Sequence, residues 1–210
     1  MNKAQFQHNA RTYGGWILLI LQVVGIFLLG SDWGQPFVFL TPINLIIVAV
    51  LFYVASKPIK SNFFYFLPAL LGWLIELAGT NTGFPFGDYT YSEILGPGLF
   101  GTPFMIGILW WVLIRSAYDI CGQFTSSHFY KSIITGSAMV ALDILIEPVA
   151  IGLNFWQWAT PEVPLENYIA WFMCSAVFAR VTAKGDTENP LSYWIWGTML
   201  LFFGALNLVY

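Results

Sequence analysis

Three carboxyl groups sit where a hydrophobic sequence ordinarily carries none: Glu76 in L-I-E-L-A-G, and Asp143 and Glu147 in A-L-D-I-L-I-E-P. An ionised carboxylate at the centre of a membrane helix costs at least ~2.5–3.5 kcal/mol to insert. Three of them strain any purely structural role. Asp143 and Glu147 are four residues apart, so they share one helix face, ~6 Å apart along the axis. Asp143 falls near the middle of its apolar run, with Glu147 and Glu76 towards the outer end of theirs, which lets Glu76 face Glu147 across neighbouring helices. No Lys, Arg or His lies at that depth; His8 and His128 belong to the other side. Without a counter-charge, desolvation and mutual repulsion favour the neutral acid, so at least one of the three is expected to hold a proton near neutral pH. A buried neutral acid is a proton donor. The plainer alternative is that these groups hydrogen-bond helices together, through Asn44, Asn207 or a tyrosine.

The elements that must position these groups are membrane helices. The chain is 58% hydrophobic and only 9% charged, against about 25% charged in an ordinary soluble domain. Seven apolar segments are predicted, at 15–30, 37–55, 63–79, 99–117, 132–153, 168–182 and 191–209, the sixth being the shortest. The expected fold is all-α, a single membrane-embedded domain of about seven transmembrane helices over 1–210. With seven spans, all eight basic residues (Lys3, Arg11, Lys57, Lys60, Arg115, Lys131, Arg180 and Lys184) fall on one face, and Asp32, Asp88, Glu93, Glu162 and Glu166 on the other. That asymmetry predicts a cytoplasmic N-terminus, an external C-terminus and a multi-pass protein of the cell (inner) membrane. No A-x-A-like site follows the first apolar run, which is read as a helix rather than a leader. Basic patches suited to nucleic acid are absent. The two cysteines, Cys121 and Cys174, show no paired spacing, and neither a disulfide nor a metal site is expected.

Most connections are short; residues 80–98 are the exception, and a loop this long in a compact domain is usually functional. Its aromatic content argues against disorder, and it is expected to fold over the outer mouth of the bundle. The third and fifth helices echo each other faintly. Each runs outward, carries a late glutamate and leads into an Asn/aromatic stretch, 81–86 and 154–158. Pro148, directly after Glu147, removes a backbone hydrogen bond and can kink its helix. Gly96-Pro97-Gly98-Leu99-Phe100-Gly101 fits G-x-G-x-x-G, but no strand–helix unit surrounds it, so the dinucleotide reading is rejected in favour of a tight turn. Many tryptophans and tyrosines, such as Trp16, Trp33 and Tyr210, lie at span ends as an interfacial belt would place them.

A retinal protein needs a lysine in a late helix, and residues 191–209 have none. A metal-dependent prenyl transferase needs clustered aspartates with cationic clamps, which are also missing. A neutral acid beside aromatic rings suits protonation of an alkene, with the carbocation held by ring faces. Phe86, Tyr89, Tyr91, Trp156 and Trp158 are the candidate rings, interface packing being the alternative for each.

E-L-A-G-T-N-T-G-F-P-F-G-D-Y-T-Y, L-G-P-G-L-F-G-T-P-F, L-D-I-L-I-E-P-V-A with N-F-W-Q-W, and P-L-E-N-Y-I-A-W-F together resemble the membrane carotenoid hydratases, over about residues 76–172. The resemblance implies cofactor-free addition of water to the terminal double bond of an acyclic carotenoid end, of γ-carotene or lycopene type, giving a tertiary alcohol. On that reading Asp143 or Glu147 donates the proton, Glu76 orients water and accepts its proton, and Asp88 and Asn154 line the mouth of the site. A membrane lycopene cyclase shares the protonation step, and a carotenoid-binding or transport protein shares neither step.

Overall fold

The computed structural model describes residues 2–56, 62–181, 183 and 188–210. Lys57, Lys60, Thr182 and Lys184, used above for span and orientation, lie outside them. Seven α-helices are present among the described residues: α1 Lys3–Leu29, α2 Thr41–Ala55, α3 Asn62–Thr82, α4 Phe104–Cys121, α5 His128–Gly152, α6 Leu165–Val181 and α7 Ser192–Leu206. A 3-10 helix, Gln35–Leu40, leads directly into α2. Five stretches, Ala4–Leu29, Gln35–Ala55, Phe63–Thr82, Phe104–Cys121 and His128–Gly152, are long and apolar enough to cross a membrane. With backbone groups satisfied inside each helix, this is an all-α polytopic membrane bundle.

Two of the expected spans differ in detail. The fourth helix starts at Phe104 rather than Leu99, because Gly98–Leu99 (β2) and Thr102–Pro103 (β3) form a two-stranded turn first. Its tip places Phe100 at φ 50° and Gly101 at φ 78°, so the glycine-rich stretch is indeed a tight turn. The sixth helix is not the shortest: α2 and α7 have 15 residues each, against 17 for α6. The chain turns after Leu206, and Asn207 Nδ2 donates to Leu145 O of α5.

The core is centred on α4, which packs against α2, α3, α5, α6 and α7 and buries Trp110, Trp111, Leu113, Ile114 and Tyr118. Its outer flank is seated by small residues on α3: a Cβ on Gly72 would meet Trp110 Cβ at 2.5 Å. Only glycine lets the two backbones come this close. Arg115, expected at the end of the fourth span where it borders the connection to the fifth, is a fully buried residue of α4. Its guanidinium stands 5.2 Å from the Tyr65 ring centre. Tyr65 is eleven residues before Glu76 on α3, ~16 Å further in, so this cation belongs to the opposite end of the bundle.

Two further strands matter most for function. Tyr89–Tyr91 (β1) follows α3, Trp156–Trp158 (β4) follows α5, and they pair antiparallel with Tyr89 opposite Trp158 and Tyr91 opposite Trp156. The faint echo between the third and fifth helices is therefore a structural one: each glutamate-bearing helix delivers one strand to a shared ribbon. The ribbon closes over the end of the bundle at which α3 and α5 finish, so residues 80–98 do fold back over the helices. Helix α5 runs on through Pro148 to Gly152.

Candidate active site

In a strand, alternate side chains face one side. The sequence Y-T-Y therefore turns Tyr89 and Tyr91 inward and Thr90 outward, and W-Q-W does the same with Trp156 and Trp158 around Gln157. The cross-strand register stacks these rings in pairs: Tyr89 and Trp158 are 5.0 Å apart at ring centres, Tyr91 and Trp156 5.9 Å and nearly perpendicular. Such pairs stabilise the ribbon by ~0.2–1 kcal/mol each. They also put four polar tips on the bundle side.

Each strand's tips hold the glutamate of the helix that precedes it. Tyr89 donates its hydroxyl to Glu76 Oε2 at 2.5 Å and Tyr91 donates to the same oxygen at 2.8 Å. Trp110 Nε1, from α4, donates to Glu76 Oε1 at 3.0 Å. On the other side, the indole N–H groups of Trp156 and Trp158 both donate to Glu147 Oε2, at 3.0 and 2.9 Å. Glu76 and Glu147 are 2% and 3% exposed. Gly79, one turn above Glu76, makes room for the ribbon: a Cβ there would meet Phe86 Cδ2 at 2.6 Å and the Tyr89 hydroxyl at 2.8 Å.

The two glutamates line one cavity, with Phe86, Tyr89, Tyr91, Trp156 and Trp158. Helices α4, α5 and α6 complete its wall with Ile106, Leu109, Ile146, Asn167 and Trp171. The space open to the centre of a water-sized sphere is ≈ 20 Å³, about what one water molecule needs. Burial, and the negative charge of Glu76 beside them, push both the Tyr89 and the Tyr91 phenol well up from the ordinary tyrosine range. They stay neutral and act as donors.

Asp143 is completely buried but is not on the cavity wall. Its Oδ2 accepts from Asn167 Nδ2 at 2.8 Å, and its Oδ1 has no hydrogen-bond partner. It reaches the cavity through Asn167, on α6. Asp143 and Glu147 lie one turn apart on the continuous helix α5, the first beneath the cavity wall and the second in it. Asp88 and Asn154 do not line this cavity. Both are exposed; Asp88 O accepts from Ala159 N, and Asn154, at φ 58°, takes a hydrogen bond from Gln157 Nε2 on its side chain. The hydrogen bonds described above bring the three carboxyls only neutral donors, Tyr, Trp or Asn. The described residues contain no group of His, Cys, Asp and Glu that could hold a metal ion.

Sequence reasoning missed Trp110, Asn167 and Trp171. An indole or an amide inside an apolar run carries no pattern that reveals its partner. Trp110 stacks on Trp171 with ring centres 4.6 Å apart, a contact between α4 and α6 that only the assembled bundle displays. The Y-x-Y and W-x-W spacings were the available signal for the strands.

Chemically, the cavity brings together two differently coordinated acids and a ring-lined apolar volume. An indole N–H only donates, so the Glu147 oxygen that receives two of them is unprotonated. Any proton on this acid sits on Oε1. Glu76 receives three donors over both oxygens, the coordination of a carboxylate acting as acceptor.

A family model described as carotenoid biosynthesis protein matches residues 34–205. The sequence is 31% identical over 158 residues to the bisanhydrobacterioruberin hydratase of Haloarcula japonica, an alignment covering 67% of this chain and 54% of that protein. The chain thus spans about half the length of that relative. No solved structure matches.

Proposed function

Because this chain belongs to the carotenoid biosynthesis protein family, we propose that it is a hydratase acting on the acyclic end of a carotenoid. The substrate class is that of γ-carotene or lycopene, and the product is a tertiary alcohol. The observation that carries the reading is the pair of glutamates on one cavity, one of them with an oxygen left for a proton and the other surrounded by donors. The similarity to a protein named as a hydratase supports it.

The reaction balances with this chain's own groups. Glu147 transfers the Oε1 proton to C2 of the terminal double bond, and the π electrons become the new C–H bond. The positive charge falls on C1, which carries two methyls and is tertiary. The faces of Tyr89, Tyr91, Trp156, Trp158 and Phe86 stabilise that charge as the water-poor cavity cannot. A water oxygen bonds to C1, and its proton passes to Glu76. Proton return from Glu76 to Glu147 resets the pair. Proton and water account for every atom, so the step needs no cofactor. Asp143 acts as a positioning residue, holding Asn167 against the cavity. The free space is smaller than a dimethyl-substituted chain end, so the substrate displaces wall side chains as it enters. The cell (inner) membrane is the proposed location, with the ribbon at its outer side.

Expression in cells that accumulate lycopene or γ-carotene tests this. The expected pigment is heavier by one water, with its new oxygen drawn from heavy-oxygen water and not from dioxygen. A pigment of unchanged mass carrying a new ring makes the protein a cyclase. Pigment bound and recovered unaltered makes it a binding protein. Either result overturns the proposal.

A further inference from the structure

A second cavity lies between α1, α2 and α7 and takes no part in the chemistry above. The space open to the centre of a water-sized sphere is ≈ 170 Å³, far larger than that at the glutamates. Its wall is almost entirely aliphatic and aromatic, including Leu21, Leu45 and Phe202. Val24 and Leu40, both about half exposed, form its rim on the outer surface of the bundle, where lipid would be. Such a cleft by itself would accept any acyl chain.

Two amides make it selective. Gln22, 2% exposed, and Asn44 both line it. Asn44 Oδ1 is buried without a hydrogen-bond partner. An amide carbonyl held in an apolar cleft with no donor is costly, and a saturated chain cannot relieve it. A hydroxyl can, since it donates to Asn44 and can accept from an amide N–H. The ligand that fits is therefore mostly hydrocarbon with one alcohol group.

The position of the cleft narrows that class. Phe155 lines it, and the next residue, Trp156, lines the glutamate cavity. Successive residues entering a strand point to opposite sides, so the start of β4 is the partition between the two spaces. We infer that the cleft between α1, α2 and α7 is a binding site for an isoprenoid tertiary alcohol, the hydrated end leaving the glutamate cavity, with Asn44 and Gln22 reading its hydroxyl. The identity of that alcohol rests on the hydratase reading; the preference for an alcohol over a hydrocarbon rests on the amides alone.

The test needs no turnover. The full chain, in lipid nanodiscs, is irradiated with a diazirine-tagged tertiary terpenoid alcohol, and labelled residues are mapped by mass spectrometry. Labelling is expected on α1, α2 and α7 at the cleft, competed by tetrahydromyrcenol on the order of 3–10-fold better than by the corresponding alkane. In Asn44→Leu, which keeps the shape and removes the oxygen, that advantage disappears while alkane competition remains. In Leu21→Trp, which fills the cleft, labelling is lost. Folding of both variants is checked by retained thermal unfolding and elution. Glu147→Gln is expected to label as the unaltered protein does, so failure of the hydratase reading and failure of this one are separately visible. Equal competition by alcohol and alkane, displacement by phospholipid alone, or an unchanged preference in a folded Asn44→Leu protein would each overturn the proposal.

Discussion

Replacing Glu147 by glutamine removes one transferable proton and little else. The amide oxygen of Gln can still accept from Trp156 and Trp158, which donate to a single oxygen at 3.0 and 2.9 Å. The amide nitrogen then takes the place of Oε1 towards the cavity. Volume, ribbon and both indole contacts survive, so the fold is expected to be retained and the melting temperature to move little. What is lost is the general acid, whose contribution is about 10²–10⁴-fold in rate, or about 3–5 kcal/mol of transition-state stabilisation. Asp143→Asn is the internal comparison. It keeps an oxygen for Asn167 Nδ2 and changes a side chain beneath the wall, so its loss is expected to stay near tenfold. The assay is the initial rate of hydrated pigment formation in nanodiscs, with pigment mass as readout and thermal unfolding as the folding control. A folded Glu147→Gln protein retaining more than a tenth of the rate refutes the assignment of the acid. So does a ranking in which Asp143→Asn loses far more than Glu147→Gln.

Tyr89→Phe and Tyr91→Phe each remove one hydroxyl donor from Glu76 Oε2. A hydrogen bond to a charged partner contributes about 1.5–3 kcal/mol, so each variant is expected to slow hydration by about 10–100-fold in the same assay. Gly79→Val places side-chain atoms where Phe86 and the Tyr89 hydroxyl now stand; it is expected to lift the ribbon, lowering both melting temperature and rate, with Gly79→Ala intermediate. The raised Tyr89 and Tyr91 phenols set a pH dependence. Unfolded tyrosine ionises near pH 10, and the folded protein holds these protons longer. Their stabilising contribution is therefore complete below about pH 10 and falls as pH climbs above it. Alkaline unfolding followed by tyrosinate absorbance is expected to show this, and Tyr89→Phe/Tyr91→Phe to flatten the slope.

The helices and the three acids were legible because both are statements about solvent. Long apolar runs declare spans, and a carboxyl without a counter-charge stands out within them. Similar depth allowed Glu76 to meet Glu147 if their helices were neighbours; it is the pairing of β1 with β4 that brings the two to one cavity. Asp143 was harder: i, i+4 spacing says which face it shares but not that Asn167, on another helix, seals it from the cavity. Strands of three residues leave almost no periodic signal, so Y-T-Y and W-Q-W passed as loop aromatics. Asp88 and Asn154 drew notice for their polarity inside those loops, yet the polar groups that matter there are phenol and indole tips. Arg115 was legible as the end of the fourth span, but not its complete burial against the rings of Tyr65 and Tyr118.

The β1–β4 ribbon also bears on what the surrounding bilayer can do to this protein. Helices answer a thicker or thinner membrane by tilting, and a site built only from helix faces would be stretched or compressed with them. Here each acid is tethered to a strand, and the strands are locked to one another by backbone hydrogen bonds in a fixed register. A slip of one residue would turn the two rings of the strand that moved to the other side and away from their glutamate, so the ribbon has no intermediate setting. The ribbon works as a crossbar: lipid composition can lean the uprights, while the gap between the two acids is kept by the bar.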